Sequence, residues 1–409
     1  MKIFYTSILL LSVLLIACNQ TDSLAKNKTK KAKENNEIDY SVKFNEINLK
    51  NHQLFQDSIK SYYYSQLSDE NFSGQFLVAK NGKILFQAYK GYQNREAGNK
   101  MTYETPIHVA SISKTITAIA LMRLVDQNKI GLDDSVQKYI KDFPFHGITI
   151  RMLLNHRSGI PYYGYLPTDI LPSTKFIKNK DLISLFKNDS IQLYFPPNTQ
   201  FSYCNTNYAF LALIIEKVTK TPFPKYIKKD IIEPLKMKNS FVFEGDTSQF
   251  KSIGQSYNSK LENQGLSNLD LIYGDKNFYT TAIDLYKLDK ATYSNNFLSK
   301  KARKEIFKGY SYENPGKSNY GLGFRLREEK GKKTIFFHTG WWHGNTGCYA
   351  TLRKDTVCMI VLSNHYTKKV FSINSLSLIF GDYCVSPLID QKENFIDPKT
   401  AKDKLSKRH

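Results

Sequence analysis

Ser111-Ile112-Ser113-Lys114 sets a hydroxyl and an amine three residues apart, a spacing that puts both on one face of a helix about a turn apart. A serine hydroxyl is a feeble nucleophile until a neighbour accepts its proton, and a lysine desolvated by packing can have a pKa low enough to help. A helix N-terminus adds backbone N–H groups and a positive dipole end for a developing oxyanion. Tyr203-Cys204-Asn205 is a second set. A tyrosine near a lysine can serve as general base for the serine and acid for a leaving group, and the asparagine carboxamide can bond both the lysine and a substrate carbonyl. In the third set, His338-Thr339-Gly340, glycine lets a substrate backbone approach a strand and threonine can bond a carboxylate. Taken singly, Ser-x-x-Lys also describes a helix cap with an exposed lysine, and His-Thr-Gly a strand-end turn.

Each set needs an element to hold it. From Ser111 to Gln127, apolar residues at three-to-four spacing (Ile116, Ile119, Ala120, Leu124, Val125) predict a helix that starts at the nucleophile. Asn207 is a candidate cap for a helix over Tyr208 to Lys220, ending before Pro222, with Tyr203 just ahead of it. The His338 triplet is expected to close a strand begun at Thr334, among others at Tyr320–Leu326, Gly347–Leu352 and Val357–Leu362. Upstream, the runs around Asn81-Gly82 from Gly74 to Tyr89 predict a hairpin. A helix is expected between Ile38 and Leu67, burying Phe44, Ile47, Leu54, Ile59 and Tyr63, and another over Lys368 to Phe380. The layout is α+β: an antiparallel sheet built from both chain ends and flanked by helices, with a mainly helical lobe inserted at about residues 116–310.

The order of the three sets resembles the serine β-lactamase and penicillin-binding-protein superfamily. The tyrosine in the middle set looks like its class C β-lactamase branch, which includes D-alanyl-D-alanine carboxypeptidases and esterases. Leu153-Leu154-Asn155-His156-Arg157-Ser158-Gly159-Ile160, Tyr320-Gly321-Leu322-Gly323-Phe324 and Leu362-Ser363-Asn364 are similar to further stretches of that branch. The resemblance implies a β-lactamase/transpeptidase-like fold, Ser111 as acylated nucleophile, Lys114 as its proton partner and Tyr203 as general base and acid. It implies that Asn205 orients Lys114 and the acyl amide, and that the oxyanion hole is the backbone N–H of Ser111 with that of Trp341. His338 and Thr339, with Gly340, would meet the substrate's carboxylate end. No cofactor or metal is implied. The substrates implied are D-Ala-D-Ala-type peptides, small esters or amides, or β-lactams.

The sequence departs from the pattern at three points. Dedicated lactamases of the branch carry lysine where His338 stands, and histidine, with a reference pKa near 6.5, is mostly neutral at pH 7, which favours peptidase or esterase chemistry over efficient β-lactam hydrolysis. Trp341-Trp342 is bulkier than the small residues common there, and could either stack a large acyl group or block the mouth. Cys204 inside the second set is open to two readings, an oxidisable thiol or a buried one. These departures also motivate an alternative, a catalytically silent envelope receptor for penicillins or muropeptides. Other chemistries fit poorly. Gly-x-Ser-x-Gly does not occur, Gly316-Lys317-Ser318 lacks the upstream glycine of a P-loop, and His338, His343 and Cys348 have no second ligand pair for a metal.

With 409 residues, 41% of them hydrophobic, the chain can bury a sizeable core. Its net charge of +21 is most concentrated at Lys26, Lys28, Lys30, Lys31 and Lys33, and the other basic residues are spread along the chain, which argues for solvated surface and against nucleic-acid binding. Lys2 and the apolar run Ile8–Ile16 have the form of a signal segment, and Leu15-Ile16-Ala17-Cys18 resembles a bacterial lipobox. The expected organisation is therefore a signal peptide at 1–17, a tether anchored to the membrane through lipid on Cys18 at 18–37, a hydrolase domain at 38–385 and a loose tail at 386–409. The mature protein is expected in the bacterial cell envelope, as a monomer meeting a small-molecule or peptidoglycan-derived substrate. Cys204, Cys348, Cys358 and Cys384 are expected as buried thiols, because a domain of this size does not need a disulfide framework.

Overall fold

The computed structural model describes residues 39–313, 316, 318–384 and 388, so the signal segment, Cys18, the lysine-rich tether and nearly all of the tail lie outside the described residues. The antiparallel sheet predicted from both chain ends is present. Strands β1 (Gly74–Lys80) and β2 (Lys83–Lys90) come from the start of the domain, and β8 (Ser318–Tyr320), β9 (Arg325–Arg327), β10 (Ile335–Trp342), β11 (Asn345–Leu352) and β12 (Val357–Ser363) from its end. Their order is β2-β1-β12-β11-β10-β9-β8, with the last strand beside the first from Gly74 opposite Ser363 to Lys80 opposite Val357. Asn81 and Gly82 form the β1–β2 turn at φ +49° and +74°, the left-handed pair that a two-residue type I′ hairpin requires.

Alternation along the central strands fills two cores. Cys358, Ile360 and Leu362 of β12 and Leu77 and Ala79 of β1 join the core shared with the helical lobe. Val357, Met359 and Val361, with Phe76 and Val78, pack on the other face against Ile59, Tyr63 and the tight 3-10 turns of Lys369–Ile379. β11 and β12 are consequently buried along their whole length.

The inserted lobe holds α2 (Ser113–Asp126), α3 (Ile150–Leu154), α4 (Asn179–Phe186), α5 (Asn205–Thr219), α6 (Phe223–Ile227), α7 (Ala282–Ala291) and α8 (Lys300–Ile306). Small strands β5 (Ile107–His108), β6 (Phe241–Val242) and β7 (Phe278–Thr280) form a second sheet beside it, and β3 (Tyr92–Asn94) pairs with β4 (Asn99–Lys100). Helix α2 is buried from Ser113 to Leu124. It is therefore a core helix surrounded by protein and not an amphipathic surface one.

Six sequence expectations need correction. The helix expected to start at Ser111 starts at Ser113, after a 3-10 turn over Ala110–Ile112, and the helix expected over Lys368 to Phe380 is the 3-10 run Lys369–Ile379. Helix α1 spans only Leu49–Tyr62 and passes into a wider turn at Tyr63–Leu67; Leu54, expected to be buried, is exposed, while Ile59 and Tyr63 are buried. Helix α5 begins at Asn205, so Asn207 is not its cap but a buried first-turn residue whose Oδ1 accepts from Ser158 Oγ at 2.7 Å. The strand expected over Tyr320–Leu326 is broken by Gly321-Leu322-Gly323 into β8 and β9. The His338 triplet lies inside β10, which runs on to Trp342, and does not close the strand.

Candidate active site

The peptide from Val109 to Lys114 is clamped. Val109 N–H donates to Phe278 O at 3.0 Å, and a 3-10 turn over Ala110–Ile112 leads into α2. On the sheet side, a Cβ at Gly340 would stand 2.3 Å from Val109 O, so only glycine lets β10 approach this closely. Ala110 sits at φ +48°, a left-handed conformation that β-carbon sterics disfavour, directly before Ser111.

Ser111 is partly exposed, and Lys114 is fully buried behind it. The ammonium of Lys114 donates to Ser111 Oγ at 2.9 Å and to the Asp275 carbonyl at 2.8 Å. Tyr203, buried at 6% exposure, presents its ring 5.1 Å from Lys114 Nζ. Asn205, at the first position of α5, is half-buried, and its side chain also meets the Tyr162 hydroxyl. Thus Ser111, Lys114 and Tyr203 come together around one amine, with Asn205 two residues beyond Tyr203 at the helix start.

The third set surrounds Tyr203 from the sheet. The His338 ring centroid is 6.1 Å from that of Tyr203. His338 is wholly buried; its Nδ1 lies 2.7 Å from Thr339 O, which can only accept, so Nδ1 carries the proton and Nε2 accepts from Tyr320 Oη at 3.1 Å. Burial, then the nearby charges of Arg325 and Lys114, push its pKa well below the usual value, so the ring is neutral. Thr339 is half-buried and Gly340 buried. Trp341 is 63% exposed, its indole N–H held by His343 O at 3.0 Å. Trp342 turns instead to Asp270, its Nε1 2.5 Å from Oδ1, with Lys276 Nζ 5.0 Å from its ring.

Several contributors were not singled out in the sequence. The guanidinium carbon of Arg325 on β9 lies 4.5 Å from the Tyr203 ring centroid, so a second cation besides Lys114 flanks the tyrosine. The buried arginines of β9 follow the Tyr320–Phe324 stretch directly, which was the available signal. His156, quoted only within a longer stretch, packs its ring 4.4 Å from that of Tyr203 and accepts the Cys204 N–H on Nδ1 at 3.1 Å. Asp275 supplies the carbonyl that anchors Lys114, while its carboxylate accepts from Tyr163 Oη at 2.6 Å and Lys276 donates to the same hydroxyl at 2.6 Å.

Cys204 is buried, and burial pushes its thiol up to about 11, which keeps it protonated and unreactive. Cys348, Cys358 and Cys384 are buried too. Among the described residues no cluster of histidine, cysteine or carboxylate side chains is arranged to hold a metal. A cavity of about 220 Å³, walled by His108, Asn277, Tyr279, Trp342 and His343, includes none of Ser111, Lys114 or Tyr203 in its lining.

Residues 65–375 match the Beta-lactamase protein family. The chain is 30% identical over 308 residues to Penicillin-binding protein 4* of Bacillus subtilis (strain 168), a match covering 72% of this chain and 68% of that protein. Its fold is similar to that of a penicillin binding protein from Bacillus halodurans, with a TM-score of 0.67 and 24% identity over 82% of this chain and 100% of that one. A D-amino acid amidase from Ochrobactrum anthropi SV3 is similar with a TM-score of 0.63 and 19% identity, over 81% of this chain and 96% of that one. With the clustered serine, lysine and tyrosine all inside the matched span, the chain belongs to the β-lactamase family of serine hydrolases.

Proposed function

We propose that this chain is an active serine hydrolase that forms an acyl-enzyme on Ser111, acting on D-Ala-D-Ala-type peptides or small esters and amides in preference to β-lactams. The observation that carries the reading is the 2.9 Å bond from the buried Lys114 ammonium to Ser111 Oγ. In the first step Ser111 Oγ attacks the substrate carbonyl carbon and passes its proton toward Tyr203, whose phenolate is stabilised by Lys114 and Arg325 on its ring. The backbone N–H groups of Ser111 and Trp341 hold the oxyanion. Collapse breaks the bond to the amine or alcohol, which leaves with the proton from Tyr203, and water then cleaves the ester on Ser111 by the reverse proton route. Asn205 orients Lys114 and the acyl amide.

His338, neutral and bonded to Tyr320, supplies no charge for a substrate carboxylate, which supports small esters and amides that lack one over β-lactams. Thr339 and Gly340 border the substrate's carboxylate end. The Bacillus subtilis relative is a penicillin-binding protein, which supports a place in the cell envelope, and the stretch Leu15-Ile16-Ala17-Cys18 supports Cys18 as the lipidated anchor. Intact-mass spectrometry after a fluorophosphonate or a labelled penicillin should show an adduct that Ser111→Ala abolishes. An adduct that forms but never turns over p-nitrophenyl esters or D-alanyl-D-alanine peptides would identify a silent receptor instead, and no adduct with any serine-directed acylator would sink both readings.

A further inference from the structure

The left-handed turn at Ala110 directs Ser111, and something must hold it there. Alanine at φ +48° is disfavoured by its own β-carbon, so this conformation persists only where surrounding contacts over-determine it. One such contact is plain. The Ala110 N–H donates to Nδ1 of His108, two residues earlier on β5, at 3.2 Å. Because Nδ1 accepts, the ring proton is on Nε2, which lies 3.2 Å from Asn277 Oδ1. Asn277 passes the bond on: its Nδ2 donates to the Asp270 carbonyl at 2.6 Å. The Asp270 carboxylate then accepts from Trp342 Nε1 at 2.5 Å and from His343 Nε2 at 2.8 Å, at the end of β10 that carries the Trp341 backbone.

We propose that His108 is a positioning residue that holds the left-handed turn at Ala110 through Nδ1 and, through Asn277 and Asp270, couples the nucleophile's peptide to the Trp341 end of β10. The inference rests on the reading of Ser111 as the acylated nucleophile. In that reading the oxyanion is shared by N–H groups from two separate elements, and the relay from His108 to Trp342 ties those elements together behind the reacting atoms. The ring must be neutral, since a protonated Nδ1 cannot accept. His108 is 4% exposed, and burial pushes its pKa down to about 4, against a raising influence from Asn277 and Asp270 and a lowering one from His343 and Lys276.

Two near-isosteric replacements separate the two bonds. In His108→Asn the side-chain oxygen can take the place of Nδ1 and keep the Ala110 bond while losing Asn277; in His108→Gln the side chain reaches toward Asn277 and leaves the Ala110 N–H without its acceptor. The readout is the second-order rate of Ser111 acylation by a fluorophosphonate, followed by intact mass, on chains whose folding is checked by thermal melting. His108→Asn, which keeps the turn and loses the relay, is expected to fall about 3- to 10-fold, and His108→Gln, which loses the turn, about 10- to 100-fold, the size of effect that a small misplacement of a reacting group produces; an Asn variant at the wild-type rate would overturn the coupling to β10. Adding Ala110→Gly to His108→Gln should restore most of the rate, because glycine adopts the turn without strain. A purely structural role would lower the melting temperature without rescue by glycine. Equal rates for the Asn and Gln variants, the reverse order, or no rescue by Ala110→Gly would overturn the proposal. If wild type itself takes no acyl group, the nucleophile assignment fails first, and the inference falls with it.

Discussion

Tyr203 stands between two cations, Lys114 Nζ at 5.1 Å and the Arg325 guanidinium at 4.5 Å from its ring centroid, and is packed against the neutral rings of His156 and His338. If it carries the proton in both halves of the reaction, Tyr203→Phe should lower kcat about 100-fold or more while the melting temperature stays close to wild type, since general acid–base groups contribute about 10²- to 10⁴-fold. Arg325→Met removes positive charge beside the phenol and so disfavours its ionised form. The acid limb of the kcat/KM profile should accordingly move to higher pH, and a limb that stays in place would show that Arg325 does not tune the tyrosine. Of these residues the sequence announced Ser111, Lys114 and Tyr203, because their types and order carry the chemistry. Arg325 and His108 stayed silent because an arginine in a strand and a histidine in a short apolar run have no local pattern of their own. Only the packing of β9 and β5 around the nucleophile gives them a partner.

At the scale of elements, the contact between β10 and the Val109–Ser111 segment decides whether the site exists. Gly340→Ala would push a methyl to 2.3 Å from Val109 O, against backbone that cannot swing aside. Overpacking of this kind costs about 1–3 kcal/mol. The expected result is a lower urea midpoint together with a fall in kcat, as the Trp341 N–H moves away from Ser111; a stability loss with unchanged kcat would separate the strand from the chemistry. The hairpin at Asn81-Gly82 and the late strands were legible because period-two alternation and turn chemistry are local. Element ends were not. The strand expected to end at His338 runs four residues further because Thr339 to Trp342 keep pairing with Asn345 to Cys348 of β11, a tertiary choice that outweighs the turn-like look of His-Thr-Gly.

At the scale of the whole molecule, three of the buried histidines, His108, His156 and His338, make stability depend on pH. Burial holds His108 down to about 4 and His156 and His338 well below 6.5. As pH falls below about 6.5 the unfolded chain takes up protons that the folded chain refuses, so stability is full above that value and declines below it. The slope approaches about 1.4 kcal/mol per pH unit for each histidine, or about 4 for the three. The urea midpoint should therefore drop between pH 7.5 and 5.0, and an unchanged midpoint would show that these rings are not buried neutral. Fold class was visible in the sequence because strands cluster at both ends and helices between them. Which strands become neighbours was not, since pairing over such separations leaves no local trace. The Ser363 hydroxyl donates to the Ser73 carbonyl across 290 residues, and β12 fills the slot between β1 and β11. At roughly 5–20 residues per second, the β1–β2 hairpin emerges from the ribosome about 15–60 s before the strand that completes its sheet. Throughout that interval one edge of β1 is an open template for wrong partners, so aggregation or chaperone capture is a hazard of synthesis. Translation arrested before Val357 leaves β1 and β11 without the strand that joins them, and a chain stopped there has no hydrolase to deliver.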